Sequence, residues 1–194
     1  MSFADLDRTG APIALIDLGD TLCECTPALG AALQRLRQPG ERQEDEALVP
    51  LPAYLETRRR HVMSAPNFWR DLPPRGPGLE LLALLRDVGF RVHVLTKGPR
   101  DAAHVWAEKV AWCREHVPGV PVTVTDDKAR VHGHVLVDDW LPYVEDWQLQ
   151  WPDGLAIVPA QSWNADAVEG PRLIRDEGGS REKVHALVRR AFER

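Results

Sequence analysis

Residues 13–22 read IALIDLGDTL, an apolar run that ends in Asp17 with a second acid at Asp20. Two further apolar runs end in polar groups. RVHVL at 91–95 is followed by Thr96 and Lys97, and HVLV at 134–137 is followed by Asp138 and Asp139. Paired acids delivered from two strand ends can hold a hard cation such as Mg²⁺, which prefers carboxylate and water oxygens. A hydroxyl and a lysine on facing loops can neutralise a phosphate. The remaining carboxylate can attack phosphorus and form an aspartyl-phosphate. Catalysis in such a site rests on positioning and on neutralising charge around the transferring group.

These residues need elements that bring three strand ends together. PIALID at 12–17 predicts a central parallel strand with its carboxyl end at a site. A helix is predicted over 26–37, with Thr26 as its N-cap, Pro27 at its first position and Leu29, Leu33 and Leu36 along one face. The polar, breaker-rich stretch 38–49 reads as a loop, 52–63 as a second helix, and PNFWRDLPPRGPG as a proline-rich connection. Beyond it, strands are predicted at 91–95, 121–124, 134–137 and 155–158, and helices at 79–87, 101–116 and 181–192. This alternation predicts an α/β fold, a Rossmann-like parallel sheet flanked by helices. A small helical cap at 24–75 follows the first strand, leaving 1–23 and 76–194 as the core. In open sheets of this kind, ligands bind beyond the carboxyl ends of the strands.

The bulk numbers narrow the chemistry. At 194 residues, with 44% hydrophobic and 27% charged residues, the chain is long enough for one ordinary domain with a core. A net charge of -5 supplies no basic field for a nucleic acid polymer, so an anionic substrate must meet locally placed cations. No stretch approaches a membrane span and no signal peptide opens the sequence. Three cysteines make no disulfide framework, and the simplest expectation is a reduced, cytoplasmic protein.

Taken in order, ALIDLGDT, VHVLTKG, DDK and VLVDD resemble the haloacid dehalogenase superfamily of phosphohydrolases. Residues 68–140, with FWRDLPPRGPGLELL, EKVAWCREH and VTDDKARVHGHVLVDDW, resemble its 5′(3′)-deoxyribonucleotidase family. The resemblance implies a Mg²⁺-dependent phosphomonoesterase acting on a small phosphorylated substrate, a nucleoside monophosphate, and assembled as a homodimer. It implies Asp17 as nucleophile and metal ligand, with Asp138, Asp139 and the Gly19 carbonyl completing the metal site. Thr96 would hydrogen-bond the phosphate, and Lys128 would neutralise phosphate and nucleophile. Lys97, Gly98 and Arg100 would line the phosphate side, although the family usually has serine where Lys97 stands.

The opening motif departs from that pattern. The family has an aspartate two residues after the nucleophile, whose carboxyl protonates the leaving alkoxide. Here that position is Gly19, and the acid stands one place later, at Asp20. Losing a general acid costs about 10² to 10⁴ in rate when the leaving group is poor. Asp20 compensates only if Gly19 lets the turn re-route. Otherwise the protein is a slow phosphatase, one selective for activated leaving groups, or a relative that binds Mg²⁺ and a phosphorylated ligand without efficient turnover. A phosphonatase, which lacks the same aspartate but uses a cap lysine, is disfavoured because no lysine precedes Lys97.

Other residues have plainer readings. Cys23 and Cys25 do not close a zinc site. His132 and His134 would share one side of a strand and read as surface or core histidines. Arg58, Arg59, Arg60 and His61 read as a solvated helix face. Trp69 is a candidate for stacking on a base, against the commoner role of tryptophan as a core anchor. Trp106 and Trp112 read as packing residues.

Overall fold

The computed structural model of the protein describes residues 10–41, 51–177 and 181–193. The polar segment expected as a loop at 38–49 lies outside the described residues from 42 onward. The short apolar runs form one sheet of six strands. These are β1 (Ile13–Ile16), β2 (Arg91–Lys97), β3 (Val122–Thr125), β4 (Val135–Val137), β5 (Leu155–Pro159) and β6 (Leu173–Asp176). Their order is β3-β2-β1-β4-β5-β6, and every pair is parallel. Central strands of this kind are buried on both faces, which is why β4 and β5 read as unbroken apolar runs. Ile16 pairs with Val94 on one side and Val137 on the other. The strand order therefore reverses between β1 and β4, the switch point at which open sheets bind ligands.

Alternation along the strands sends side chains to two layers. Ala14, Ile16, Val92, Val94, Val135, Val137 and Ile157 pack against α3 (Gly76–Val88), α4 (Ala103–His116) and α6 (Arg181–Phe192). Leu15, Leu95, Leu136, Ala156 and Val158 pack against α5 (Leu141–Gln150), through Val144 and Trp147. Helices α1 (Cys25–Arg35) and α2 (Ala53–Met63) pack on each other around a separate small cluster of Leu29, Leu33 and Val62.

The start of α3 is pressed onto the loop that follows β1. A Cβ on Gly78 would lie 1.8 Å from the carbonyl oxygen of Thr21, so only glycine permits this approach. Leu22 and Cys23 both donate their N–H to Leu18 O at 2.9 Å, and Arg75 N donates to Leu22 O at 2.7 Å. The loop carrying the opening motif is thus a closed turn braced by the helix behind it.

One sequence expectation needs correction, and two elements carried too little signal to be expected. Thr26 does not cap α1: it lies inside the helix, whose flanking residue is Glu24. Its N–H is instead satisfied by the side chain of Asp20 at 2.7 Å. Helix α5 was not predicted, because in LPYVEDWQLQ only Val144 and Trp147 are buried, which leaves too thin an apolar stripe. Strand β6 was not predicted because LIRD buries only Ile174, as an edge strand can.

Candidate active site

Asp17 is the first residue beyond β1, and its N–H donates to Val137 O at 2.8 Å, so the site begins where the β1–β4 ladder ends. Asp138 and Asp139 stand just past β4. Lys128 opens a short 3-10 turn (Lys128–Arg130) between β3 and β4. Its Nζ donates to Asp17 Oδ1 at 2.6 Å and to Asp138 Oδ2 at 2.7 Å. The peptide N–H of Trp140 donates to the other oxygen of Asp138 at 3.0 Å. Asp139 accepts from Thr21 Oγ1 at 3.1 Å and from the Trp163 indole at 3.1 Å.

Asp17, Asp138 and Asp139 each place a carboxylate oxygen within 4.8 Å of the others, and all three residues are buried. With all three ionised, these acids against the one ammonium that touches them, Lys128, would leave two surplus negative charges in a dry place. Burial and the neighbouring Asp17 push Asp138 up to about 6, against the pull of Lys128. Burial, then the charges of Asp138, Asp17 and Asp20, push Asp139 well above the ordinary carboxylate range. Burial also works against the charge of Lys128, but two carboxylates in contact outweigh it and hold its pKa above the usual lysine value. A compact, all-oxygen, over-negative cluster fits a hard divalent cation such as Mg²⁺ in donor type and in charge.

Thr96 is the penultimate residue of β2, the strand beside β1. It is fully buried, and Lys109 Nζ donates to its Oγ1 at 3.1 Å. The Lys97 ammonium lies over the Tyr143 ring, 4.7 Å from its centroid, and Lys128 lies 5.1 Å from the same centroid. Tyr143 on α5 therefore stands between two of the cations. Gly98 is packed so closely on Trp106 that a Cβ would lie 2.2 Å from its ring. Arg100 turns to Asp126 beyond β3, at 2.6 Å, with its side chain 85% exposed.

The opening motif is resolved in detail. Asp20 adopts a left-handed backbone, φ 54°, a region in which aspartate is tolerated better than most residues. Both oxygens of its carboxylate are held by Thr26, one by the backbone N–H at 2.7 Å and one by Oγ1 at 2.8 Å. Its carbonyl accepts from Arg75 Nη1 at 2.8 Å and Gln161 Nε2 at 2.9 Å. Burial raises its pKa, and the two bonds from Thr26 oppose that. A Cβ on Gly19 would meet Trp69 at 3.5 Å and Cys25 at 3.8 Å, which is ordinary contact, so the position has room for a Cβ.

Trp69 is a core residue, 5% exposed. One ring face carries the Lys109 ammonium 3.6 Å from the centroid, its indole N–H donates to Met63 O at 2.9 Å, and Phe68 meets it edge-on. Cys23, Cys25 and Cys113 are buried free thiols, each pushed up by burial. His132 packs edge-on with Trp151 and with His134 before β4, and His134 Nδ1 accepts from Ile13 N. Arg58 pairs with Glu41, and Arg59 and Arg60 with Glu56.

Sequence reasoning missed Lys109, Thr21, Tyr143 and the turn after β5. In that turn, Asn164 Nδ2 donates to Asp139 O and Pro159 O, each at 2.9 Å, while its Oδ1 accepts from Gln161 N. Asn164 thereby locks Trp163 and Gln161 over the acids. Lys109 did leave a signal. It falls four residues after Val105 and three before Trp112, on the buried stripe of α4, where a lysine has no business without a partner.

The chain is similar to several known proteins. Residues 11–166 match the family described as "5' nucleotidase, deoxy (Pyrimidine), cytosolic type C protein". Proteins of Bordetella parapertussis (strain 12822) and Bordetella pertussis (strain Tohama I), each named "Putative 5'(3')-deoxyribonucleotidase", are 29% identical over 116 residues. The match covers 58% of this chain and 60% of each relative, so the chain spans about three fifths of their length. A haloacid dehalogenase-like family hydrolase from Xanthomonas campestris has the same fold, with a TM-score of 0.53 and 16% identity, over 95% of this chain and 100% of that one. The chain belongs to this 5′-nucleotidase family and has the haloacid dehalogenase-like fold.

Proposed function

We propose that this member of the 5′-nucleotidase family is a Mg²⁺-dependent phosphomonoesterase that works through an aspartyl-phosphate on Asp17. The observation that carries the reading is Lys128 bridging Asp17 and Asp138, with Asp139 beside them, at the switch point of the sheet. Asp17, Asp138, Asp139 and the Gly19 carbonyl would hold Mg²⁺. When bound, the ion offsets the charge of the acids and of the phosphoryl oxygens. Lys128 and the Thr96 hydroxyl orient those oxygens, with Lys97 as a further cation at the mouth. A carboxylate oxygen of Asp17 bonds to phosphorus as the ester P–O bond breaks, and the leaving oxygen departs as an anion that solvent water then protonates. Water then attacks the acyl phosphate, releasing inorganic phosphate and free Asp17.

The leaving oxygen's proton is the weak step. Gly19 brings no carboxyl to the acid position, and Asp20 spends both its oxygens on Thr26. In this reading Asp20 serves the turn and the start of α1, and the enzyme favours substrates whose leaving group departs unprotonated. The substrate class is small phosphorylated molecules, with a nucleoside monophosphate as the family-level choice and α1 and α2 as the cap that selects it. A cytoplasmic, homodimeric protein belongs to the same reading. Among the described residues no helix is long and apolar enough to cross a membrane.

The test uses wild type, Asp17→Asn and Gly19→Asp with Mg²⁺, on p-nitrophenyl phosphate and a panel of nucleoside monophosphates. Wild type should hydrolyse the nitrophenyl ester, Asp17→Asn should be inert, and Gly19→Asp should gain nucleotide turnover. Full metal-dependent activity in Asp17→Asn would sink the mechanism. No activity on either substrate, with Mg²⁺ and phosphate still stabilising the fold, would favour a ligand-binding protein. That second reading is itself favoured by the missing acid at Gly19.

A further inference from the structure

Lys109 is a lysine buried to 4% exposure, and no carboxylate touches its Nζ in the described structure. An ammonium has three donors and no acceptor, and all three are spent here. One goes to Thr96 Oγ1 at 3.1 Å, one to Lys97 O at 2.8 Å, and the third side faces the Trp69 ring, 3.6 Å from its centroid. Burying a charge against two dipoles and a ring is costly, and a methionine would fill the space without that cost. Burial pulls the Lys109 pKa down to about 8, with Asp17 opposing. Packing alone gives no reason to keep the charge.

Its geometry supplies one. Because an ammonium only donates, Thr96 Oγ1 must accept from it, and the hydroxyl's own proton is left for another acceptor. The same ammonium holds the last carbonyl of β2, next to the loop that faces Asp17. Its ring partner, Trp69, closes over Gly19. We infer that Lys109 is a positioning residue for phosphate binding: it fixes the Thr96 hydroxyl as a hydrogen-bond donor to the phosphoryl group and braces the β2 terminus and Trp69 around the acid position. The inference rests on the phosphomonoesterase reading, and it gives Lys109 no contact with substrate.

The experiment is a double-mutant cycle on the full chain with Mg²⁺. Wild type, Lys109→Met, Thr96→Val and the double variant are titrated with inorganic phosphate by calorimetry and assayed on p-nitrophenyl phosphate. Each single change should weaken phosphate binding and kcat/KM by about tenfold or more, the worth of one charge-assisted hydrogen bond. The double variant should be no worse than Thr96→Val, because Lys109 acts through that hydroxyl. Effects that multiply, or a Lys109→Met protein that binds phosphate within about twofold of wild type, overturn the inference while leaving the phosphatase reading standing. A wild type that neither binds phosphate nor hydrolyses the ester fails the phosphatase reading and takes the inference with it. If thermal melting shows Lys109→Met unfolded, the same cycle is read with Lys109→Leu, which also removes the donor.

Discussion

Lys109 and Lys128 are buried to the same 4% exposure on opposite sides of one site, and their environments push them in opposite directions. Lys128 sits between two carboxylates at 2.6 and 2.7 Å, which hold its charge in place. Lys109 meets a hydroxyl, a carbonyl and an indole face, which solvate the charge less well than water, and its pKa falls to about 8. Depth alone therefore does not set a lysine's behaviour; what decides is whether formal charge or only dipoles replace the lost water. One lysine neutralises the acids, and the other orients a neutral group.

The largest expected effect comes from breaking the charged side of this pair. Lys128→Met strands two buried carboxylates, and unfolding by denaturant should show a loss of about 3–5 kcal/mol. In the proposed mechanism phosphate-ester turnover should fall about 10²–10³-fold, since the charge beside Asp17 is gone. A variant as stable as wild type would mean that the acids do not depend on Lys128.

Lys109→Met sharpens the contrast through pH. The folded pKa of about 8 lies below the ordinary 10.5, so between those values the unfolded chain binds the extra proton and the folded one does not. The desolvation cost is therefore fully present below pH 8 and is relieved as pH rises towards 10.5. Stability of wild type relative to Lys109→Met should rise by roughly 3 kcal/mol across that window. Denaturation series at both ends check it, and a flat difference would mean that Lys109 is solvated.

Saturating Mg²⁺ should relieve the surplus charge of the acids and stabilise the fold by about 2–3 kcal/mol at a hundredfold excess over its Kd. The shift, read as a rise in melting temperature, should vanish in Asp139→Asn and persist in Lys109→Met. The smallest effect is expected at Asp20→Ala. It removes the hydrogen bonds to Thr26 at the start of α1 and should cost about 1 kcal/mol, with turnover of p-nitrophenyl phosphate kept. A loss of nucleotide turnover larger than the loss of stability would return Asp20 to the acid role.

Much of the candidate site's assembly could be read along the chain because each element announces its own end. The runs before Asp17, Thr96 and Asp138 are continuous and apolar, as strands covered on both faces must be, and parallel topology puts such ends on one edge. Asp20 was legible as an acid but not in its task, because only the left-handed turn at residue 20 shows its carboxylate aimed at Thr26. Trp69 was legible as an aromatic near the site, and its packing under Lys109 was not. Helix α5, with its Tyr143 between two lysines, escaped because two buried residues make too weak a stripe.

By itself, then, the sequence determined the α/β class, the strand ends, the paired acids after β4 and the order of Gly19 and Asp20, all carried by local pattern and motif order. Tertiary structure alone decided which groups touch. Lys128 reaches Asp17 across 111 residues, Trp163 reaches Asp139 across 24, and Lys109 meets Thr96 only because α4 docks that face on the sheet. Periodicity records which face of an element is buried. The partner buried against it is set by crossovers that join distant segments, and no local pattern carries that information.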